Sequence, residues 1–327
     1  MATEHVLAGA AAKIPVNATT PIFSYTPVTI TVPGRPVDLQ VRVTAPATGR
    51  GLPIILLSHG HGPSNWLSSL EGYAPLAEFW AKHGFAVLQP THLSSRSLSL
   101  PTQPDNELFW KSRPADMTSI LDNLDIIEKS VPGLQGRLDR NKVAAAGHSL
   151  GGMTTSLLLG SRNTNPRDGS TFQALEPRVK VGVIIGGTGN GGKGGADMSE
   201  NARTNMFPSY GMDFKTMATP TLVIAGDIDV SPHLTVRGAD WHWDPYIDGP
   251  GSKDLLLVKG GHHGFGGVSG WDAAETQDES PERLALVQRM SLAYLRSKFY
   301  EGDKSWERAC EVLAGLKELG SVESKSG

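Results

Sequence analysis

Chemistry is concentrated in four short stretches of the 327-residue chain. Gly147-His148-Ser149-Leu150-Gly151 has the form Gly-x-Ser-x-Gly, with the apolar residues 143–146 before it and a helical pattern over 153–159 after it. In that setting the pattern is a strand, tight turn and helix. The small neighbours let adjacent chains pass closely, and the turn lifts the Ser149 hydroxyl to the end of a helix that favours negative charge. Without the flanking strand and helix the same residues would read as an N-cap serine. A serine hydroxyl is a weak nucleophile until an imidazole takes its proton, and the imidazole needs a carboxylate to fix its tautomer. Two later stretches, each after an apolar run, offer these groups: Gly226-Asp227-Ile228-Asp229-Val230-Ser231-Pro232 and Lys259-Gly260-Gly261-His262-His263-Gly264-Phe265. Each offers a choice, Asp227 or Asp229 and His262 or His263. The fourth stretch is Ser58-His59-Gly60-His61-Gly62-Pro63, where the His61 amide can join that of Leu150 as an oxyanion donor. His59 and His61 also have H-x-H metal spacing. No cysteine accompanies them, and no acidic residue follows before Glu71, so the expectation is no metal.

These stretches need a frame that brings them to one edge. Short apolar runs at 53–57, 86–88, 143–146, 179–185, 221–225 and 255–258 read as strands buried on both faces of a parallel sheet. Residues 28–32 and 37–43 alternate apolar with polar and are split by Pro33, Gly34 and Pro36, an antiparallel hairpin with one wet face. Met117, Ile120, Leu121, Leu124, Ile127 and Val131 recur at helical spacing behind Pro114, and Leu284, Val287, Met290 and Tyr294 do so behind Pro281. Strands alternating with helices predict an α/β fold, a mostly parallel central sheet with helices on both faces, entered through the antiparallel hairpin. Glycine is overused, with eight in residues 182–195 and eight in 249–270, both in loops at the carboxyl edge where α/β proteins bind ligands.

Leu57-Ser58-His59-Gly60-His61-Gly62, Lys82-His83-Gly84-Phe85-Ala86-Val87, Arg113-Pro114-Ala115-Asp116 and Gly147-His148-Ser149-Leu150-Gly151-Gly152 together resemble serine esterases of the α/β-hydrolase superfamily. The nearest families are platelet-activating-factor acetylhydrolases, chlorophyllases and bacterial polyester hydrolases, and the likeness covers residues 25–300. The resemblance implies the α/β-hydrolase fold and cleavage of a carboxylic ester through an acyl-enzyme, without cofactor. Its Gly-x-x-Asp-x-x-Pro pattern places the acid at Asp229, and its Gly-x-Gly/Ser-His-x-Phe pattern places the base at His263. Arg113 and Asp116 match a structural pair. The loop Gly186-Gly187-Thr188-Gly189-Asn190, where platelet-activating-factor acetylhydrolases carry the acid, has no carboxylate here; the acid comes one strand later, as in polyester hydrolases. An amidase or acyltransferase would use the same triad, and a non-catalytic ligand-binding homologue would have lost one of its members.

The domains expected are an N-terminal extension (1–24), a catalytic domain (25–300) and a C-terminal helix with a frayed polar tail (301–327). Residues 189–217 and 233–252 are expected to cover the pocket. Trp241, Trp243 and Tyr246 on the second of these, with Trp66 beyond the oxyanion loop, are candidates for the substrate wall. Met198, Met206, Phe207, Tyr210, Met212 and Phe214 are candidates for lining a lid. Together they suggest a bulky apolar or aromatic ester or lactone. Thirty basic residues against 33 acidic ones leave a net charge of −3, which argues against nucleic acid or membrane surface as partners. Cys310 is the only cysteine, which excludes an internal disulfide and suits a cytoplasmic protein. The partner expected is a small-molecule ester, and the oligomeric state is left open.

Overall fold

Short apolar runs with no polar alternation suit strands covered on both sides, and here they form the middle of a nine-stranded sheet. The computed structural model describes residues 6–62, 64–101, 106–270 and 278–325. The first five residues of the expected N-terminal extension, Pro63 of the expected oxyanion loop and the last two residues of the tail lie outside the described residues. The large sheet contains β1 (Ile22–Ile30), β2 (Leu39–Pro46), β3 (Leu52–Ser58), β4 (Ala86–Pro90) and β5 (Leu138–His148). It continues with β8 (Val179–Ile185), β10 (Thr221–Gly226), β11 (Lys253–Val258) and β12 (Gly320–Lys325). Three short strands, β6 (Arg162–Thr164), β7 (Thr171–Gln173) and β9 (Met212–Asp213), form a second, antiparallel sheet. The large sheet runs in the order β1-β2-β4-β3-β5-β8-β10-β11-β12. The strands from β4 to β11 are parallel, and β1, β2 and β12 are antiparallel to their neighbours.

Side chains alternate across the sheet and so build two cores. On β3, Ile55 and Leu57 join the core under α1 (Ala74–Lys82) and α6 (Pro281–Phe299), whereas Ile54 and Leu56 join the core under α2 (Ser112–Asp122) and α4 (Leu150–Leu158). The helical pattern expected over 117–131 is interrupted at Asn123, whose side-chain amide donates to the Ser119 carbonyl at 2.8 Å. That bond competes with continued helix, and the chain restarts as α3 (Leu124–Ser130). The remaining α-helices among the described residues are α5 (Asp244–Asp248) and α7 (Ser305–Ala314). Among the described residues, no helix is long and apolar enough to cross a membrane.

Both ends of the chain are more ordered than their composition suggests. The segment Val6–Lys13 lies on α6, with Ala11 and Ile14 fully inside the core. Its Ala10 amide donates to Glu282 at 2.6 Å. The tail expected to fray is instead β12, paired residue for residue with β11 from Lys253↔Lys325 to Val258↔Gly320. The physical reason is the edge it covers: β11 would otherwise end the sheet with unpaired amides and carbonyls.

The parallel registers set Ser58 beside Gly147, His148 beside Ile185 and Gly226 beside Val258. Strands β3, β5, β8, β10 and β11 therefore end along one edge, and the four chemical stretches leave from it.

Candidate active site

Ser149 sits between β5 and α4 at φ 57°, ψ −122°, in the left-handed region that a side chain rarely adopts. Its neighbours enforce this. A methyl group at Gly147 would collide with the Gly151 carbonyl, and one at Gly151 would collide with the Ser58 carbonyl. The Ser149 amide donates to the Ile185 carbonyl of β8 at 2.9 Å, and its side chain makes no capping bond. Leu150, the first residue of α4, carries an amide with no acceptor inside the helix.

The structure brings His263 and Asp229 together. His263 Nδ1 lies 2.9 Å from Asp229 Oδ2 and 3.1 Å from Oδ1, so Nδ1 carries the proton and Nε2 the lone pair. Burial pulls this imidazole down, but the Asp229 charge and hydrogen bond, helped by Asp278, outweigh it and raise its pKa above the ordinary 6.5. Burial pushes Asp229 up, yet the histidines around it, His263 first, hold it below the usual carboxylate range. The alternatives are turned elsewhere. His262 is exposed, with its amide on Asp278, and Asp227 accepts the Gly260 amide at 2.7 Å and pairs with Lys259 at 2.9 Å.

A second imidazole, hidden in the sequence between two tryptophans, also faces Asp229. His242 is buried, donates Nδ1–H to the Gly187 carbonyl at 2.7 Å, and sets Nε2 at 3.5 Å from Asp229 Oδ1. Asp229, His242 and His263 are the set among the described residues whose donor atoms could grip one metal ion, lying within 4.8 Å of one another. Their shortest contacts are already hydrogen bonds within the group. The H-x-H pair does not offer a metal site: His59 donates Nδ1–H to the Gly60 carbonyl at 2.6 Å and accepts the His92 amide on Nε2 at 3.1 Å.

The loop after β3, expected to supply an oxyanion donor, rests directly on the elbow. A methyl group at Gly60 would come within 3.3 Å of Ser149 Cβ and 2.8 Å of the Tyr73 hydroxyl, so this glycine is required by close approach and not by a left-handed turn. Arg113, fully buried, donates to the His59 carbonyl, to Ser94 at 2.6 Å and to Thr154 at 2.8 Å. Burial lowers it to about 9. Asp116 does not hydrogen-bond Arg113: it accepts from Arg35 and from His92 Nδ1, both at 2.9 Å, and burial raises it to about 6. His92 Nε2 in turn accepts from the Ser58 hydroxyl at 2.9 Å. Arg113 and Asp116 thus act on separate partners in one network beneath residues 58–60.

The expected substrate wall is placed differently. Trp241 is fully buried, its Nε1 donating to the Asn190 carbonyl at 2.9 Å, and it packs against Tyr210. Tyr246 is buried against Val223, Ala225 and Leu255, with Trp243 packed beside it. These rings are drawn inward because β8, β10 and β11 need a cover there, so the cluster is core and not an exposed wall. Met198, Phe207, Tyr210, Met212 and Phe214 are likewise buried, which corrects the lid reading. Arg237 ties residues 233–252 to 189–217 through Asp197, and Asp244, its partner within the same segment, accepts the Asn190 amide at 2.7 Å. Trp66 alone is open, 45% exposed, beside a groove of about 420 Å³ shared with Pro27, Gln40 and Glu71.

A central parallel sheet with an elbow serine after β5, a carboxylate after β10 and an imidazole after β11 has the arrangement of the α/β-hydrolase class. Residues 54–315 match the alpha/beta hydrolase family, and the chain belongs to that family. No curated protein matches the chain.

Proposed function

We propose that this hydrolase cleaves a carboxylic ester through an acyl-enzyme formed on Ser149. The observation that carries the reading is the strained Ser149 on its elbow beneath the Gly60 loop, at the sheet edge where His263 is held by Asp229. In the first half-reaction Ser149 Oγ forms a bond to the ester carbonyl carbon while its proton passes to His263 Nε2. Asp229 keeps the proton on Nδ1 and stabilises the imidazolium. The amides of Leu150 and His61 hold the oxyanion. Collapse expels the alcohol, which takes the proton from Nε2, and water repeats the sequence to release the acid. No step calls for a metal or cofactor.

A bulky apolar or aromatic ester, or a lactone, is the proposed substrate, and the support for bulk rests on the exposed Trp66. Kinship with platelet-activating-factor acetylhydrolases, chlorophyllases or polyester hydrolases, and a cytoplasmic location suited to a lone cysteine, belong to the same proposal. A fluorophosphonate should label Ser149 and abolish hydrolysis, and a panel of aryl, alkyl, lactone and amide substrates should favour the esters. An unlabelled serine would end the reading, and preferential amide cleavage would redirect it to an amidase.

A further inference from the structure

Two polar side chains that this chemistry does not use lie between the oxyanion loop and the base. Tyr73 is completely buried and His148, the residue before Ser149, is nearly so. The Gly60 amide donates to the Tyr73 hydroxyl at 3.0 Å, that hydroxyl lies 2.8 Å from His148 Nδ1, and His148 Nε2 lies 2.7 Å from the His263 carbonyl. Each proton can be placed by elimination. A carbonyl only accepts, so His148 Nε2 carries hydrogen. Burial, with His263 beside it, lowers the His148 pKa to about 3; the ring is neutral and Nδ1 is a lone pair. The Tyr73 hydroxyl must therefore donate to Nδ1 and accept the Gly60 amide, so the bonds all run one way, from the oxyanion loop to the base loop.

Tyr73 is held in place at a cost. It adopts φ 63°, ψ 18°, a left-handed conformation that disfavours a bulky side chain. Its amide donates at 2.9 Å to the carbonyl of Ser269, in the loop that follows His263, and its carbonyl starts α1. Strain of this kind persists only where the surroundings over-determine it and is most often found at functional sites.

The geometry points to Tyr73 and His148 as positioning residues: a one-directional hydrogen-bonded bridge that fixes the Gly60–His61 peptide and the His263 backbone in one frame around Ser149. Fixing the Gly60 amide orients the peptide plane that leads to the His61 amide. Fixing the His263 carbonyl sets where the imidazole starts. The inference rests on the reading of Ser149 and His263 as the catalytic pair.

The test measures p-nitrophenyl acetate hydrolysis per active site, with sites counted by fluorophosphonate, so that misfolded protein drops out. Tyr73→Phe keeps the ring and removes the hydroxyl; kcat should fall ~10–100-fold with KM changed by less than about twofold, since only alignment is lost. His148→Gln retains one acceptor and one donor and should keep more activity than His148→Phe. Because both residues serve one bridge, Tyr73→Phe/His148→Phe should be no worse than the poorer single variant. The bridge is refuted if Tyr73→Phe keeps kcat within about twofold per titrated site, a result that a merely structural hydroxyl predicts. Losses that multiply in the double variant, or a His148→Gln no better than His148→Phe, refute it equally. Should His148→Phe fail to fold, Tyr73→Phe and His148→Gln carry the decision. A wild-type chain that the probe does not label removes the proposed function itself, an outcome distinct from labelled variants with unchanged rates.

Discussion

Gly60→Ala adds a methyl group at the tightest point of the site. Its Cβ would stand 2.8 Å from the Tyr73 hydroxyl oxygen, 3.3 Å from Ser149 Cβ and 3.4 Å from the His148 carbonyl. An oxygen and a methyl carbon need about half an ångström more than the first distance to avoid repulsion. The Tyr73 ring is completely buried and its hydroxyl is bonded to His148, so it has no open space into which to retreat. Either the hydroxyl moves, stretching the 3.0 and 2.8 Å bonds, or the loop lifts from Ser149 and carries the His61 amide with it. Overpacking of this kind costs ~1–3 kcal/mol of stability, and a shift of a few tenths of an ångström at the oxyanion should lower kcat roughly 10–100-fold. The assay is a thermal melt together with kcat per fluorophosphonate-labelled site. Combining Gly60→Ala with Tyr73→Phe removes the colliding oxygen. The double variant should recover part of the lost stability and turn over no more slowly than Tyr73→Phe alone. A Gly60→Ala variant with wild-type kcat, or stability losses that simply add in the double variant, would show that this contact does not set the loop.

Ser149→Ala should reduce turnover by several orders of magnitude with the fold intact, and His263→Ala should be far more damaging than His262→Ala, both read as kcat/KM on an aryl acetate. Because Asp229 raises the His263 pKa, the acid limb of kcat/KM should lie above pH 6.5, and activity should fall as pH drops through it; in Asp229→Asn the limb should move down along with the rate. His148 titrates at about 3 in the folded chain against 6.5 in the unfolded one, so its contribution to stability is complete above pH 6.5 and is lost as pH falls towards 3. Denaturant melts of wild type and His148→Gln from pH 7 to pH 4 should differ in slope by about 3 kcal/mol over that range; parallel curves would argue against a neutral buried imidazole. Trp241→Ala should cost ~3–5 kcal/mol in stability and lower aryl and acetyl ester rates in equal proportion. Trp66→Ala should raise KM for the bulky aryl ester alone.

Local patterns were legible in the sequence: the strands 53–57 and 221–225 follow from short apolar runs, the stretches that hold an acid and an imidazole follow from their places after successive strands, and the choice of Asp229 and His263 within them came from the family patterns. What the sequence concealed depends on tertiary competition. Trp241 and Tyr246 look like loop aromatics, because nothing local shows that β8 and β10 lack a cover until the fold brings these rings there. His242 was masked by the tryptophans on either side, although an imidazole within such a cluster signals a buried polar partner. The tail at 320–325 is polar by composition, yet strand β11 supplies a template that polar residues satisfy as well as apolar ones. The Gly60–Tyr73–His148–His263 bridge joins residues with no common spacing, so only the assembled sheet edge reveals it.

The docking of Val6–Lys13 on α6 imposes an order on biosynthesis. Ala10 meets Glu282 across a separation of 272 residues, and Ile14 offers its carbonyl to Arg289. At ribosomal rates of ~5–20 residues per second, the early segment waits roughly 15–55 s for its partner. Through that interval the apolar faces of Ala11 and Ile14 are open to chaperones or to wrong neighbours. The elbow and the oxyanion loop, by contrast, can pair as soon as β3 and β5 have emerged. A nascent chain stalled before α6 would therefore hold a preformed nucleophile turn on a sheet still missing one of its covers. Competence would arrive last, with the helix that follows the base loop.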